Sequence, residues 1–207
     1  MRRFLILAHR VPVRGEFTLN DLAGGGGRMD EIARAVSTGF TLSNDLRRDT
    51  EMTILFAGDP AADARRIDLV GSRLRYLNPD ERSTAALLKN ALTRAAIYPH
   101  DFESSPGLRV GPTDPLRALE EFLRQPGAVW LTEEGVPIAQ WRGPPGEIAA
   151  VVSDPYDPTP EERERLAASG VPRLSVSPLV LRTSQVIDAV HREIDLRSTG
   201  SRADAPA

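Results

Sequence analysis

The apolar and polar positions of the chain alternate between strand-like and helix-like segments. Residues 4–8 (FLILA) form a continuous apolar run, which is typical of a strand buried on both faces of a sheet. Four further apolar segments of strand length follow, at residues 52–57, 128–131, 148–152 and 173–176. Because strands alternate with helices, the pattern predicts an α/β fold, a mainly parallel sheet flanked by helices.

Helix-start signals lie between these strands. The segments NPDE (78–81), DP (114–115) and TPEE (159–162) each place a capping side chain before a proline, and two of them add acidic residues in the first turn. A helix after the glycine run would bury Ile32, Val36 and Phe40. The sequence also predicts a two-residue hairpin turn at Gly71-Ser72 and a surface loop over residues 99–112.

Residues 174–195 combine a short strand, a tight polar turn and a helix. Ser177-Pro178 predicts the helix start, since serine caps free amides and proline suits the first turn. Two interpretations remain open, an ordinary strand–helix unit or a ligand site. Ligands bind beyond the carboxyl ends of parallel strands, and the strands ending at Leu131, Val152 and Leu174 all run into polar or glycine-containing turns. We therefore expect a binding site at this edge.

Composition excludes several classes of chemistry. The 207 residues carry a net charge of −3 and no cysteine, which rules out disulfides, thiolate metal sites and a cysteine nucleophile. The three histidines lie far apart without metal-ligand spacing, so no metal is expected. No apolar run is long enough for a membrane span, and the first residues do not resemble a signal peptide. We therefore expect a cytoplasmic protein without a membrane partner.

Four consecutive glycines, residues 24–27, precede the first helix. They are not a P-loop, because the Gly-Lys-Ser/Thr ending is missing, and they do not directly follow a strand as a dinucleotide fingerprint does. Asp21, Arg28 and Asp30 surround the run. A carboxylate and an arginine held by such a loop could serve as proton acceptor and anion stabiliser. Alternatively, Asp30 caps the helix and Arg28 is a surface residue.

Arginine supplies all but one of the basic residues, the exception being Lys89. Arg47, Arg48, Arg75 and Arg82 could form a face that follows RNA phosphates, because the planar guanidinium group binds phosphate well. A merely solvated face is the alternative, since Asp49, Asp80 and Glu81 lie among these arginines.

Six motifs in order resemble one known family. They are FTLNDLAGGGGRMD (17–30), RRDT (47–50), RYLNPDERSTAALLKNAL (75–92), LTEEG (131–135), SDPYDPTPEE (153–162), and LSVSPL (174–179) followed by VHREID (190–195). In these segments the chain resembles the archaeal tRNA pseudouridine N1-methyltransferases (TrmY) of the SPOUT superfamily of knotted methyltransferases.

The resemblance implies a single SPOUT methyltransferase domain over residues 1–196, with a C-terminal trefoil knot and a homodimer. We expect residues 197–207, a small polar tail, to be disordered. S-adenosyl-L-methionine would be the methyl donor. Its contacts, carried over by position, are Leu131, Ser153, Leu174, Ser175, Val176, Ser177, Pro178, Leu179 and Val186. Ser153 and Ser177 stand where the family typically has glycine, which could loosen the approach of the backbone to adenosine.

The implied reaction is methylation of N1 of a T-loop pseudouridine in tRNA. Asp21 or Asp30 would then accept the N1 proton or orient the base, and Arg28 would stabilise the developing anion. The four arginines of the phosphate-following set would contact the RNA backbone. Two alternatives stay open: methylation of a pseudouridine in small-subunit ribosomal RNA, and an RNA-binding protein of the same fold without catalysis.

Overall fold

The computed structural model describes residues 1–58, 63–144 and 146–203. Its strands are β1 (Arg2–Ala8), β2 (Thr50–Phe56), β3 (Arg65–Val70), β4 (Phe102–Ser105), β5 (Leu108–Pro112), β6 (Ala128–Pro137), β7 (Ile148–Ser153) and β8 (Arg173–Ser175). Its helices are α1 (Met29–Phe40), α2 (Glu81–Ala95), α3 (Pro115–Leu123), α4 (Pro160–Ala168) and α5 (Thr183–Ala203).

All strands of the described chain belong to one sheet, in the order β4-β5-β3-β2-β1-β7-β6-β8. The five strands from β2 to β8 in this order run parallel to one another. β3, β5 and β4 extend the sheet as antiparallel strands at one side. The predicted α/β class and mainly parallel sheet are therefore confirmed.

β1 forms the centre of the sheet and explains the FLILA run. Phe4 and Ile6 point to one face, where they pack in the larger apolar core with residues of α1, α2 and α5. Leu5 and Leu7 point to the other face, where α3 and α4 cover them. All four side chains are at most 1% exposed, because helices cover both faces.

Three local predictions were wrong. Residues 73–77 form no strand, and β3 pairs instead with β2 and β5, so no hairpin turns at Gly71-Ser72. Residues 99–112 are not a simple surface loop, because they contain the β4–β5 hairpin. α5 begins at Thr183 rather than at Pro178, since the hydroxyl of Ser177 accepts a hydrogen bond from the amide of Leu179 in a turn of its own.

The last helix is also longer than expected. α5 continues past Leu196 to Ala203, and the side chain of Arg197 donates to Glu193 at 2.9 Å. Residues 197–203 thus belong to a helix rather than to a disordered tail. The remaining tail residues, 204–207, lie outside the described part of the chain.

A buried histidine joins α5 to the start of β1. Nε2 of His191 lies 3.0 Å from the carbonyl oxygen of Gly39, and Nδ1 lies 3.3 Å from the guanidinium group of Arg2. Burial, with the nearby positive charges of Arg47 and Arg2, lowers the pKa of His191 to about 4. The imidazole is therefore neutral at pH 7 and ties α5 to α1 through a hydrogen bond.

Candidate functional site

A cavity of about 810 Å³ opens at the carboxyl ends of β6, β7 and β8. Its apolar wall includes Leu131, Val152, Val176 and Val186. The pairing of β6 with β8 is interrupted between Leu131 and Val136, so residues 132–135 bulge out of the sheet and three of them line the cavity. This is the sheet edge that the sequence predicts as the binding site, and the volume is that of small-molecule pockets.

Six of the nine residues predicted to contact the cofactor line this cavity. They are Leu131, Ser153, Val176, Ser177, Leu179 and Val186. The described cavity lining does not include Leu174, Ser175 or Pro178. Leu174 is buried in the core, and Pro178 is exposed on the surface. Ser175 donates its hydroxyl to the carbonyl oxygen of Ser177, so it shapes the turn instead of facing the cavity.

The two serines that depart from the family pattern both close their own turns. The hydroxyl of Ser153 donates to the carbonyl oxygen of Tyr156, and that of Ser177 accepts from the amide of Leu179 at 3.0 Å. Thr183, the first residue of α5, donates its hydroxyl to the carbonyl oxygen of Ser153 at 2.6 Å. The bond from Thr183 ties the loop after β7 to the start of α5, and both serine hydroxyls have protein partners.

The glycine loop is organised by Asp21. The carboxylate of Asp21 accepts hydrogen bonds from the amides of Gly24 at 2.9 Å and Gly25 at 2.7 Å. These backbone hydrogen bonds lower the pKa of Asp21. Gly27 and Arg28 then both take positive φ, at 58° and 71°, which turns the chain into α1. Asp21 is exposed and lies outside the cavity lining, so its position suits holding the loop.

Arg28 and Asp30 form an ion pair beside the cavity. Nε of Arg28 donates to Oδ1 of Asp30 at 3.0 Å and its NH2 group donates to Oδ2 at 3.1 Å. Burial raises the pKa of Asp30, but the hydrogen bond and charge of Arg28 outweigh it, so the pKa lies below its ordinary value. Of the three residues predicted to be catalytic, only Arg28 lines the cavity.

Glu31 lines the cavity as well, and the sequence interpretation missed it. Its side chain is 4% exposed, and Oε1 accepts from Arg28 at 3.0 Å and from Arg34 at 2.8 Å. Nε of Arg182, from the far wall of the cavity, lies 3.8 Å from the same oxygen. Within the described chain, Oε2 is buried without a hydrogen-bond partner. In the sequence, Glu31 resembles any acidic residue in a first helical turn, which is why it was not singled out.

The loop after β7 is held by a histidine from the end of β1. Nδ1 of His9 lies 2.8 Å from Oδ1 of Asp154, which lines the cavity, and Nε2 lies 2.9 Å from Oε2 of Glu162 in α4. Burial lowers the pKa of His9, but the hydrogen bonds and charges of Asp154 and Glu162 outweigh it and raise the pKa to about 9. The protonated ring therefore bridges the cavity loop and α4. No local sequence pattern signals this contact, because the two partners lie 145 and 153 residues away from His9.

We expect this bridge to make stability depend on pH. A pKa raised from 6.5 to about 9 corresponds to about 3 kcal/mol of stabilisation. Because the folded pKa is the higher one, this stabilisation is complete below pH 6.5 and is lost as pH rises through 9. The free energy of unfolding, measured with urea, should be lower at pH 9.5 than at pH 6 by about this amount. His9→Gln should remove most of this difference between the two pH values. Parallel pH profiles of the two proteins would contradict the bridge.

The structure does not bring the four predicted RNA-binding arginines together. Arg47 forms an ion pair with Asp195 at 2.8 Å and is only 18% exposed. Arg82, at the start of α2, donates to the carbonyl oxygen of Leu19 at 2.9 Å. Only Arg48 and Arg75 share a surface, a second cavity at the opposite edge of the sheet.

Metal and membrane signals are absent from the residues that the structure describes. No group of three or more histidine, cysteine, aspartate or glutamate side chains in this part of the chain could hold a metal ion. None of its helices combines the length and apolar character that a membrane crossing requires.

Known proteins resemble this chain over nearly its whole length. A family model described as "Putative SAM-dependent RNA methyltransferase" matches residues 1–199. A Haloferax volcanii protein named tRNA (pseudouridine(54)-N(1))-methyltransferase is 38% identical over 197 residues, which cover 94% of this chain and 96% of the relative. A Methanocella arvoryzae protein of the same name is 37% identical over 198 residues, covering 95% of this chain and 100% of the relative.

A solved structure shares the fold. The crystal structure of Archaeoglobus fulgidus Nep1 bound to S-adenosylhomocysteine superposes with a TM-score of 0.63 and covers 95% of this chain and 98% of that chain. The sequences are 11% identical, so this likeness concerns the fold alone.

Proposed function

The chain belongs to a family of SAM-dependent RNA methyltransferases, and we propose that it methylates N1 of a pseudouridine in the T-loop of tRNA. The names of its relatives support this substrate. The observation that carries the proposal is the cavity at the ends of β6, β7 and β8. It joins an apolar wall, on the side predicted for the cofactor, to a carboxylate and arginines that can assist methyl transfer.

The residues of the cavity fit S-adenosylmethionine. An adenine ring needs apolar walls, which Leu131, Val152, Val176 and Val186 provide. The hydroxyl of Ser153 closes the turn after β7, and the hydroxyl of Thr183 ties this turn to the start of α5, so the cavity is largely formed before a ligand enters. We infer that the other predicted contacts, Leu174, Ser175 and Pro178, support these turns from behind.

Methyl transfer to N1 of pseudouridine requires the N1 proton to leave. When bound, S-adenosylmethionine would supply the electrophilic methyl group that N1 takes up. We assign Glu31 as the acceptor of the N1 proton, because it lines the cavity together with Arg28 and Arg182, which both approach its carboxylate. Asp21 and Asp30, the acceptors predicted from the sequence, are in our proposal the groups that hold the glycine loop and orient Arg28.

The negative charge that develops on the base spreads to its ring carbonyl groups. Arg28 and Arg182 line the same cavity and both approach Oε1 of Glu31, so two guanidinium groups lie beside the proposed acceptor. We propose that they stabilise the charge of the transition state. The target base must leave its stack in the RNA to reach this cavity.

Finer features of the family belong to the same proposal. We infer a SPOUT-type domain over residues 1–196 with a trefoil knot formed by the loops around α5, and a cytoplasmic enzyme acting on tRNA. We also infer a homodimer. Leu179 and Val180, beside the cavity, are 69% and 85% exposed, and a partner subunit would cover such apolar side chains.

Two measurements test the function and separate the alternatives. Calorimetry with S-adenosylmethionine should give one site per chain; no detectable binding would favour an RNA-binding protein without catalysis. Methyl transfer should then be compared on a pseudouridine-containing T-loop stem and on a hairpin from small-subunit ribosomal RNA. We expect the T-loop stem to be methylated, and preference for the ribosomal hairpin would overturn the tRNA assignment.

A further inference from the structure

A groove lined by four arginines lies at the edge of the sheet opposite the cofactor cavity. Arg48, Arg73, Arg75 and Arg94 line it, in a volume of about 950 Å³. They come from three segments of the chain: Arg48 precedes β2, Arg73 and Arg75 lie between β3 and α2, and Arg94 lies in the last turn of α2. Glu103 is the only carboxylate among the described lining residues, and Asp45 forms an ion pair with Arg48 at 2.8 Å, so the four arginines leave the groove with a net positive charge. Four guanidinium groups around a concave surface suit an anion with several negative charges.

Of the four groove arginines, Arg75 is the one without a hydrogen-bond or ion-pair partner in the described residues, since Arg94 also donates to the carbonyl oxygen of Ser104 at 2.9 Å. Arg48 donates to the carbonyl oxygens of Gly71 and Leu74, and Arg73 forms an ion pair with Glu103 at 2.8 Å. Arg75, by contrast, is exposed, and in the described residues no hydrogen bond or ion pair involves its side chain. Its guanidinium group is free to bind a ligand.

Aromatic residues are neighbours of two of the groove arginines. Tyr76, next to Arg75, is 68% exposed. The guanidinium group of Arg94 lies over the ring of Phe102, 4.9 Å from its centroid. Tyr98, which is 45% exposed, makes an edge-on contact with the same ring, with centroids 5.3 Å apart. Arginines that follow phosphates, with exposed aromatic rings beside them, are typical of surfaces that bind nucleic acid.

The groove is separate from the methyl-transfer site. The segment from Gly71 to Arg75 follows the end of β3, where Val70 pairs with Glu51 at the start of β2. The cavity lies beyond Ser153, which pairs with Leu7 near the end of β1. About five residues along the strands and three strand spacings across the sheet separate them, which is on the order of 20 Å.

We propose that this groove binds the phosphate backbone of the substrate RNA at a distance from the target base. This inference rests on the proposed function, because it takes an RNA as the substrate. An RNA strand whose target base lies in the cavity would continue across the protein surface until its phosphate backbone reaches the groove. The groove therefore adds affinity only for RNA long enough to span both sites and contributes nothing to the chemical step.

The test uses Arg75→Ala and Arg75→Glu, with Arg117→Ala as the matched control. Arg117 is also an exposed arginine, in α3 on the other face of the sheet, so its loss changes the net charge equally. Binding of full-length tRNA, measured by fluorescence anisotropy over a series of salt concentrations, should weaken about 5-fold for Arg75→Ala and more for Arg75→Glu. The slope of log Kd against log salt concentration should decrease by about the contribution of one phosphate contact.

Kinetics on T-loop substrates with stems of increasing length locates the contact. We expect Arg75→Ala to raise KM for full-length tRNA without changing kcat, and to match the wild type on the shortest stem. Equal tRNA binding by Arg75→Ala, Arg75→Glu and the wild type would overturn the proposal, as would an equal loss with Arg117→Ala. If the wild type methylates no RNA, the proposed function fails; a selective loss of tRNA binding in the Arg75 variants would still support the groove.

Discussion

Glu31→Gln is expected to lower kcat for methyl transfer by about 10²–10⁴-fold, because a neutral amide cannot accept the N1 proton. The amide oxygen of glutamine can still accept the hydrogen bonds that Arg28 and Arg34 donate to Oε1 of Glu31. The loop should therefore keep its position, and the affinity for S-adenosylmethionine should change little. Single-turnover rates with saturating cofactor and RNA measure the effect.

Two further variants separate proton transfer from structural support. Glu81→Gln removes another carboxylate that Arg34 binds, at 2.7 Å, outside the cavity lining, and should leave kcat nearly unchanged. Asp30→Asn changes the ion-pair partner of Arg28 and should lower kcat less than Glu31→Gln does. A larger loss for Asp30→Asn than for Glu31→Gln would assign the acceptor to Asp30 instead.

Gly27→Ala is expected to disrupt the loop that carries Arg28 and Glu31. A Cβ at Gly27 would lie 1.9 Å from the carbonyl oxygen of Arg10 and 3.0 Å from the Cα of Val11, so backbone would have to move. The positive φ adds about 1–2 kcal/mol, and the steric overlap adds about 1–3 kcal/mol. We therefore expect a loss of about 3 kcal/mol in the free energy of unfolding, together with about 10²-fold in kcat from displaced side chains.

Gly170→Ala is the matched control for this substitution. Gly170 has φ +68°, close to the +58° of Gly27, but nothing lies within 4 Å of its added Cβ. The free energy of unfolding of Gly170→Ala should fall only by the cost of a positive φ, about 1 kcal/mol, and this variant should retain full activity. Urea unfolding and kinetics compare the two variants. Similar losses for both would show that Gly27 serves only a local turn and does not position the catalytic loop.

Local patterns predicted most of the fold because the parallel strands are buried on both faces. The run Phe4–Ala8 forms the predicted strand, and Asp114 and Thr159 cap helices at the predicted starts. α2 is capped by Asp80 and not by Asn78, the residue before the proline. The β4–β5 hairpin was missed because its prolines and glycines resemble a loop, and only pairing with β3 makes it a strand pair. The start of α5 was misplaced because the hydroxyl of Ser177 caps a turn rather than the helix.

The candidate site was predictable only in part for a related reason. Strand ends located the cavity, since every parallel sheet presents its carboxyl ends at one edge. The particular groups inside it depend on contacts between distant residues. His9 meets Asp154 and Glu162, and Glu31 meets Arg182, across more than 140 residues, and no local pattern encodes these pairs. Conversely, Asp21 and Asp30 are close in sequence to Arg28, which lines the cavity, but their carboxylates bind other groups. Asp21 accepts from an amide of the glycine loop, and Asp30 accepts from Arg28 itself.

Nucleoside mass spectrometry of tRNA after incubation with the protein and S-adenosylmethionine tests the central claim most directly. The substrate should be a full-length tRNA that carries pseudouridine in its T-loop, with the uridine-containing tRNA as control. We predict that one N1-methylpseudouridine appears per tRNA, that one pseudouridine disappears, and that the control remains unmethylated. A methyl group on any other atom or nucleotide, or unmodified tRNA in the presence of a bound cofactor, would contradict the assignment.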